Sequence, residues 1–320
     1  VTPKLAYWRR VFQAYVAGGN SHLTFWHERP AANERSRFEA LGPYYMTFAD
    51  KAGYPGPFDE RGVPLLDYRG SIGRRYNPIA IAQYGLALQN RGREGDRERF
   101  LAQADWLRDN LERNPKGVRV WNHHFDFEYR ETLRSPWYSG LAQGQGISLL
   151  ARAHAENGDA RYLEAMRAAY EAFEREIEDG GVLRRESSGD VWIEEYIVDP
   201  PTHILNGFIW ALWGVWDYHL SLREARAKDL FERCVATLER NLDRYDTGLW
   251  SLYELSGNAL PMVASRFYHR LHVVQLEILA RMTGRAAFGA RARKWAAYAE
   301  RPLNRGVSLA QKCAFKLLYY

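Results

Sequence analysis

Cysteine is nearly absent from this chain: Cys234 and Cys313 are the two in 320 residues. That excludes a disulfide framework and any CxxC metal knuckle. One bridge between them is possible; two ordinary buried thiols are the simpler expectation. The nine histidines include no HExxH, so no metal site is expected. Long apolar runs are missing too. The most apolar stretch, HILNGFIWALWGVWDYHL, carries Asp217 and is too short to span a bilayer. No membrane partner is expected, and a soluble protein is. The opening residues, VTPKLAYWRR, lack the apolar core of a signal peptide. Lysine is scarce beside arginine, and the net charge is only +5, with a sequence pI near 9.1. Basic residues alternate with acids along the chain, without the Lys/Arg block that tracks a phosphate backbone, so nucleic acid is not an expected partner. No glycine-rich nucleotide loop is present, and no organic cofactor is implied.

What is there is an ordinary globular composition, 46% hydrophobic and 26% charged, on a length that suits one large domain or two modest ones. Arginine grips carboxylates and sulfates bidentately, which lysine does not. Aromatic residues reach 14%, with 11 Trp and 20 Tyr. Such rings pack a core, and they also lie flat against sugar C–H faces.

The first seventy-odd residues differ from the rest. Glycine and proline recur at short intervals through AGGNSHLTFW, LGPYYMTF and ADKAGYPGPFDERGVPLLDYRG. Residues 1–75 therefore read as an extended, strand-rich arm or hairpin packed on the remainder. Helical periodicity governs residues 76–320. NPIAIAQYGLALQN opens with Asn77 as a cap and Pro78 at the first helical position. DRERFLAQADWLRDNLERN follows. Then GLAQGQGISLLARAHAEN pairs with ARYLEAMRAAYEAFEREIED, and HILNGFIWALWGVWDYHLSL with REARAKDLFERCVATLERNLDRY. RFYHRLHVVQLEILARMTG pairs with AAFGARARKWAAYAERP, and a short SLAQKCAFKLLYY ends the chain. The alternation of apolar, small-residue helices with charged amphipathic ones predicts a mainly α fold: an incomplete α/α toroid of inner and outer helices. Loops dense in unusual residues precede the inner helices and gather at one end.

One such loop carries Trp192-Ile193-Glu194-Glu195-Tyr196. If it is extended, Trp192, Glu194 and Tyr196 share one face, and Glu195 sits between isoleucines on the other. Burial there raises the pKa of Glu195. Further candidates are Tyr253 after a turn, and Arg266, Tyr268, His269 and His272 at a helix start, where Arg266 could hold an anion. Tyr138, Gln143 and Gln145 surround another helix start, and Asn206 a third; the amides suit sugar hydroxyls.

GVPL, YNPIAIAQYGLAL, DWLRDN, WYSGLAQGQGISLLARA, WIEEY, ILNGFIWALWGVWD, YDTGLWSLYEL and FYHRLHVVQLEIL, in this order, resemble the D-glucuronyl C5-epimerase family over about residues 44–279. The resemblance implies inversion at C5 of glucuronate within a heparosan- or heparan sulfate-like glycosaminoglycan, giving iduronate. It implies a homodimer, and an α/α barrel acting on an anionic polysaccharide. It matches Glu195, Tyr196, Tyr253 and Tyr268 to the family's catalytic residues. Trp192, Glu194, Arg266, His269, His272, Tyr138, Gln143, Gln145 and Asn206 stand around them as substrate-binding candidates. Strand parity favours Glu194 over Glu195; the resemblance selects Glu195, and a bend there reconciles the two. The chain departs from the family in lacking the β-rich insertion that follows QYGL in animal members, and in having Ser256 where a basic residue follows the family's YDL.

C5 inversion removes a proton from a carbon next to a carboxylate and returns one to the other face, so it needs acid/base groups on two sides of the ring. The alternatives are a polysaccharide lyase, which forms the same carbanion and expels the C4 substituent, and a non-catalytic uronan-binding protein.

Overall fold

The computed structural model describes residues 23–68 and 72–319. The first 22 residues of the expected arm, with the VTPKLAYWRR opening, lie outside the described residues, as do residues 69–71. Helices dominate, as the periodicity predicts. Among the described residues, a one-turn helix α1 (Leu23–Trp26), a 3₁₀ turn (Lys51–Gly53) and the hairpin β1 (Leu66–Asp67) and β2 (Arg74–Arg75) are the regular elements of the arm. Then come α2 (Pro78–Arg91) and α3 (Asp96–Asp109). Two small hairpins follow, β3 (Glu112–Arg113) with β4 (Arg119–Val120), and β5 (Phe127–Glu128) with β6 (Thr132–Leu133). Next are α4 (Gly140–Asn157), α5 (Ala160–Tyr170), and the hairpin β7 (Leu183–Arg185) and β8 (Val191–Ile193). The chain ends with α6 (Leu205–Leu222), α7 (Ala225–Asn241), α8 (Arg266–Thr283), α9 (Ala286–Glu300) and α10 (Pro302–Tyr319).

Helices α2, α4, α6 and α8 pack side by side in succession, and each is backed by the helix that follows it. The sequence explains which layer is which. In α4 every residue from Gly140 to Ala153 is buried, whereas α7 buries one stripe, Ala227, Leu230, Phe231, Cys234, Val235 and Leu238. The α4–α6 contact is backbone on backbone. A Cβ on Gly144 would lie 2.4 Å from the Ala211 Cα, and one on Gly214 2.2 Å from the Gly144 carbonyl oxygen. Asn77 caps α2 as expected, accepting from the Ile79 and Ala80 amides, with Pro78 first in the helix.

The arm is sewn to this arc by buried polar groups. Asp217 of α6 accepts from Arg152 of α4 at 2.7 Å and from the Tyr45 hydroxyl at 2.7 Å. Asn90 of α2 accepts from the Tyr44 amide and donates to the Met46 carbonyl. These bonds leave Asp217 satisfied inside an otherwise apolar helix.

Four local expectations change. Helix α3 stops at Asp109 rather than running to Asn114. Pro115 disfavours helix at the residue before it, and Asn114 turns the chain by accepting from the Lys116 and Val118 amides. Helix α5 ends at Tyr170 and passes into 3₁₀ turns. The last helix starts at Pro302 rather than near Ser308, because proline suits a first helical position. Both cysteines are free, but Cys313 is exposed, not buried.

Candidate functional site

The loops leading into α4, α6 and α8 meet at the N-terminal ends of these helices. Strand β8 ends at Ile193, and the chain bends at Glu195 and Tyr196. The Glu194 carbonyl accepts from the Gly140 amide at the start of α4, which fixes this exit. The bend breaks strand parity. Glu194 turns to His203, accepting from its amide at 3.1 Å and meeting its Nδ1 at 2.5 Å. Glu195 turns the other way, against the first turn of α6. A Cβ on Gly207 would fall 1.9 Å from Glu195 Oε2, so glycine is what admits the carboxyl there.

The second wall comes from the loop before α8. Tyr253 is tied to the first loop by backbone bonds: its carbonyl accepts from the Leu205 amide at 3.1 Å, and the Leu255 amide donates to Thr202 at 2.7 Å. The ring of Tyr253 meets that of Tyr268 edge-on, with centroids 4.9 Å apart. Ser265 caps α8, and its hydroxyl accepts from the Tyr268 amide. Tyr196 packs against Tyr129, Phe127 and Trp137, with centroids at 4.5, 5.9 and 5.8 Å. The structure thus brings Glu195, Tyr196, Tyr253 and Tyr268 into one cluster, as their mutual electrostatic influence also shows. Beyond Tyr268 lies a small cavity against the arm, lined by Trp26, Lys51, Gln83 and Phe267.

Burial sets the protonation states. It pushes the Glu195 carboxyl up to about 8; the Tyr196 hydroxyl bonded to it pulls the other way, and the charges of Glu254 and Glu194 add to the rise. Burial, then the nearby Glu195, holds Tyr196 and Tyr253 well above the ordinary phenol range. At neutral pH the cluster therefore carries a mostly protonated carboxylic acid among neutral phenols. Such groups exchange protons with a carbon acid at less cost than an ordinary carboxylate of pKa near 4.5.

Most of the side chains expected to contact substrate are engaged by the protein itself. Trp192 is fully buried, stacked on His203 and edge-on to Phe208. It packs the core and offers no face to a sugar. Glu194 is committed to His203. His269 is sealed by Trp250 stacked on it at 3.7 Å, by the Trp295 carbonyl on Nε2, and by Ser251 on Nδ1. Burial lowers its pKa to about 4, and lowers that of His272 well below the usual range, so both are neutral supports. Gln143 spends its amide on the backbone of Trp121, Arg119 and Ala169. Gln145 accepts from Gln83 deep between α2 and α4. Asn206 is buried with its backbone carbonyl taken by Gln275, but its side-chain oxygen has no partner among the described residues, so it stays a candidate. The Tyr138 hydroxyl donates to the Gly181 carbonyl, just before β7. Arg266 opens α8 with an exposed side chain.

Sequence reasoning missed other members of the cluster. The Tyr129 hydroxyl donates to Glu254. Arg130 bonds Asn258 at 3.2 Å and has a buried Nη1 without a partner among the described residues. Ser256 accepts from Asn258, so position 256 brings no cation. The alternation Phe125, Phe127, Tyr129 was the available signal for an inward-facing strand; nothing local marked Glu254.

A family model described as D-glucuronyl C5-epimerase C-terminus matches residues 115–297, more than half of the chain and all of the loops just described. The chain belongs to the D-glucuronyl C5-epimerase family. It is 33% identical over 222 residues to the D-glucuronyl C5-epimerase of Caenorhabditis elegans, covering 65% of this chain and 36% of that protein. It is 29% identical over 203 residues to an uncharacterized protein of Methanocaldococcus jannaschii, covering 62% of this chain and 64% of that one. The chain therefore spans less than two thirds of either relative. Among solved structures, unsaturated glucuronyl hydrolase from Bacillus sp. GL1 aligns with a TM-score of 0.47 at 15% identity, over 69% of this chain and 61% of that one. Among the described residues, no group of three or more His, Cys, Asp or Glu could hold a metal ion, and no helix is long and apolar enough to cross a membrane.

Proposed function

We propose that this member of the family is a uronate C5-epimerase that inverts glucuronate to iduronate within a heparosan-like polysaccharide. The observation that carries the reading is the convergence of Glu195 and Tyr196 from one loop with Tyr253 and Tyr268 from another. In the proposed reaction, the ionised fraction of Glu195, in contact with the Tyr196 hydroxyl, takes the C5 proton. The electron pair left on C5 delocalises into the carboxylate, and Tyr268 delivers a proton to the other face. Tyr253 steadies the hydroxyls or relays the proton. The reverse reaction uses the same groups in opposite roles.

Residues 76–320 are read as the catalytic part, an incomplete α/α toroid, and residues 1–75 as an arm packed on it. The family resemblance further supports a homodimer, which light scattering on the purified protein tests. Activity is tested by incubation with heparosan-type polymer in deuterium oxide, reading deuterium at C5 and iduronate by NMR. Exchange without chain cleavage supports the epimerase. An unsaturated, ultraviolet-absorbing product would make it a lyase instead. Binding with neither outcome would make it a uronan-binding protein.

A further inference from the structure

Two lysines from the end of the chain reach the same loop cluster, and neither lies in the stretch that the family model matches. Helix α10 lies along the loop before α8. Phe315 is buried, the Leu260 amide donates to the Tyr319 hydroxyl at 3.4 Å, and Gln311 donates to the Pro261 carbonyl at 3.4 Å. Lys312 and Lys316 are one helical turn apart and so share a face. The Lys312 ammonium donates to the Val263 carbonyl at 3.0 Å and stands 5.5 Å from the centre of the Tyr253 ring. The charge of Glu254, next in sequence to Tyr253, is felt by both lysines. Across the same loop stands Arg130, bonded to Asn258.

In a chain where lysine is scarce, a pair placed beside a catalytic tyrosine calls for a reason. As structural groups the two are costly. Burial pulls Lys312 down to about 7 and Lys316 to about 8. Removing a proton next to a carboxylate places a second negative charge on that carboxylate, and a cation on its oxygens stabilises this state more than the ground state. Arg266, the sequence candidate for this task, is exposed at the start of α8.

We infer that Lys312 and Lys316 of α10 are the substrate-binding cations that hold the uronate carboxylate beside Tyr253, so that the C-terminal helix completes the site. This rests on the uronate reading above and adds a residue pair to it. It also separates α10 from a mere end-cap on α9: its Phe315 face docks the helix, and its lysines serve the ligand.

The test compares wild type with Lys312→Met/Lys316→Met, which keeps the apolar stems, and with Lys312→Arg/Lys316→Arg, which keeps the charge. Calorimetric affinity is measured for a glucuronate polymer and for the same polymer with its carboxylates reduced to alcohols. Wild type is expected to prefer the carboxylate form by about 10-fold or more, from charge-assisted hydrogen bonds. The Met pair is expected to lose that preference and most C5 deuterium exchange, with unchanged circular dichroism, and the Arg pair to retain the preference. A Met pair that keeps the preference and exchanges within about twofold of wild type overturns the inference while leaving the epimerase reading intact. Lysine-dependent preference in a wild type that exchanges no deuterium upholds the grip and overturns the epimerase reading. Should the Met pair fail to fold, Lys316→Gln carries the same comparison.

Discussion

Replacing Glu195 by glutamine should make the protein more stable, and increasingly so as the pH rises. The folded carboxyl holds its proton up to about 8, against an ordinary value of 4.5. Between these values the unfolded chain has released a proton that the folded chain keeps. Stability is therefore fully present below the lower value and is lost as the pH climbs to the upper one. The slope is about 1.4 kcal/mol per pH unit, which gives roughly 3 kcal/mol at pH 7 and about 5 kcal/mol above pH 8. Glutamine is neutral in both states and escapes this loss, apart from a constant term for seating its amide. Urea unfolding of the two proteins at pH 5, 6, 7 and 8.5 measures the difference, and all other titrating groups cancel because both proteins carry them. The gap should widen with pH and level off above 8. A gap constant from pH 5 to 8.5 would show that Glu195 titrates normally, and the account of the site would fail with it. The same substitution should lower C5 exchange by about 100-fold or more if Glu195 is the acid/base group. In the direction where Glu195 accepts the proton, kcat/KM should rise about tenfold per pH unit below 8.

Tyr268→Phe keeps the ring contacts with Tyr253 and Phe267 but removes the hydroxyl. Exchange should drop by about 100-fold at unchanged melting temperature, and exchange within threefold of wild type would remove Tyr268 from the reaction. Gly207→Ala drives a methyl into Glu195 Oε2. The carboxyl must move, so activity should be lost along with about 1–3 kcal/mol of stability in denaturant melts. Glu194→Gln replaces the buried carboxylate that meets both the amide and Nδ1 of His203 by an amide with one acceptor oxygen. A loss of about 1–3 kcal/mol is expected from the weakened buried hydrogen bonds, with Glu186 still on His203 Nε2, whereas a direct role in proton transfer would instead cut turnover in a protein of normal stability.

The helices were legible because burial repeats along them. An inner helix such as α4 is buried on every side, an outer one such as α7 on one stripe, and the cap at Asn77 is local chemistry. The segment from Asn110 to Ser139 was not legible in this way. Its strands are two residues long, too short for a period to show, and its folding depends on distant partners such as Gln143 on the Trp121 amide. The polar candidates divided for a related reason. Gln143, His269 and His272 are the right residue types at the right helix ends. A buried amide or imidazole held by backbone or by a neighbouring hydroxyl looks the same in sequence as one that faces a ligand.

WIEEY shows where a local rule gives way to a tertiary one. Period-two alternation holds only while the ladder holds, and the ladder with β7 ends at Ile193. Beyond it, two carboxyls adjacent in sequence meet opposite environments: Glu194 pairs with an imidazole, and Glu195 faces phenols and a glycine. Hydrogen bonding to His203 keeps one acid as a fixture of the loop, while desolvation gives its neighbour a proton near neutral pH. Neither fate is written in the dipeptide. Each is decided by what α6 and its loop place opposite, His203 in one case and Gly207 in the other. The sequence feature that bears most on the chemistry is therefore a glycine in the first turn of a helix, and its effect should be read through the titration of Glu195.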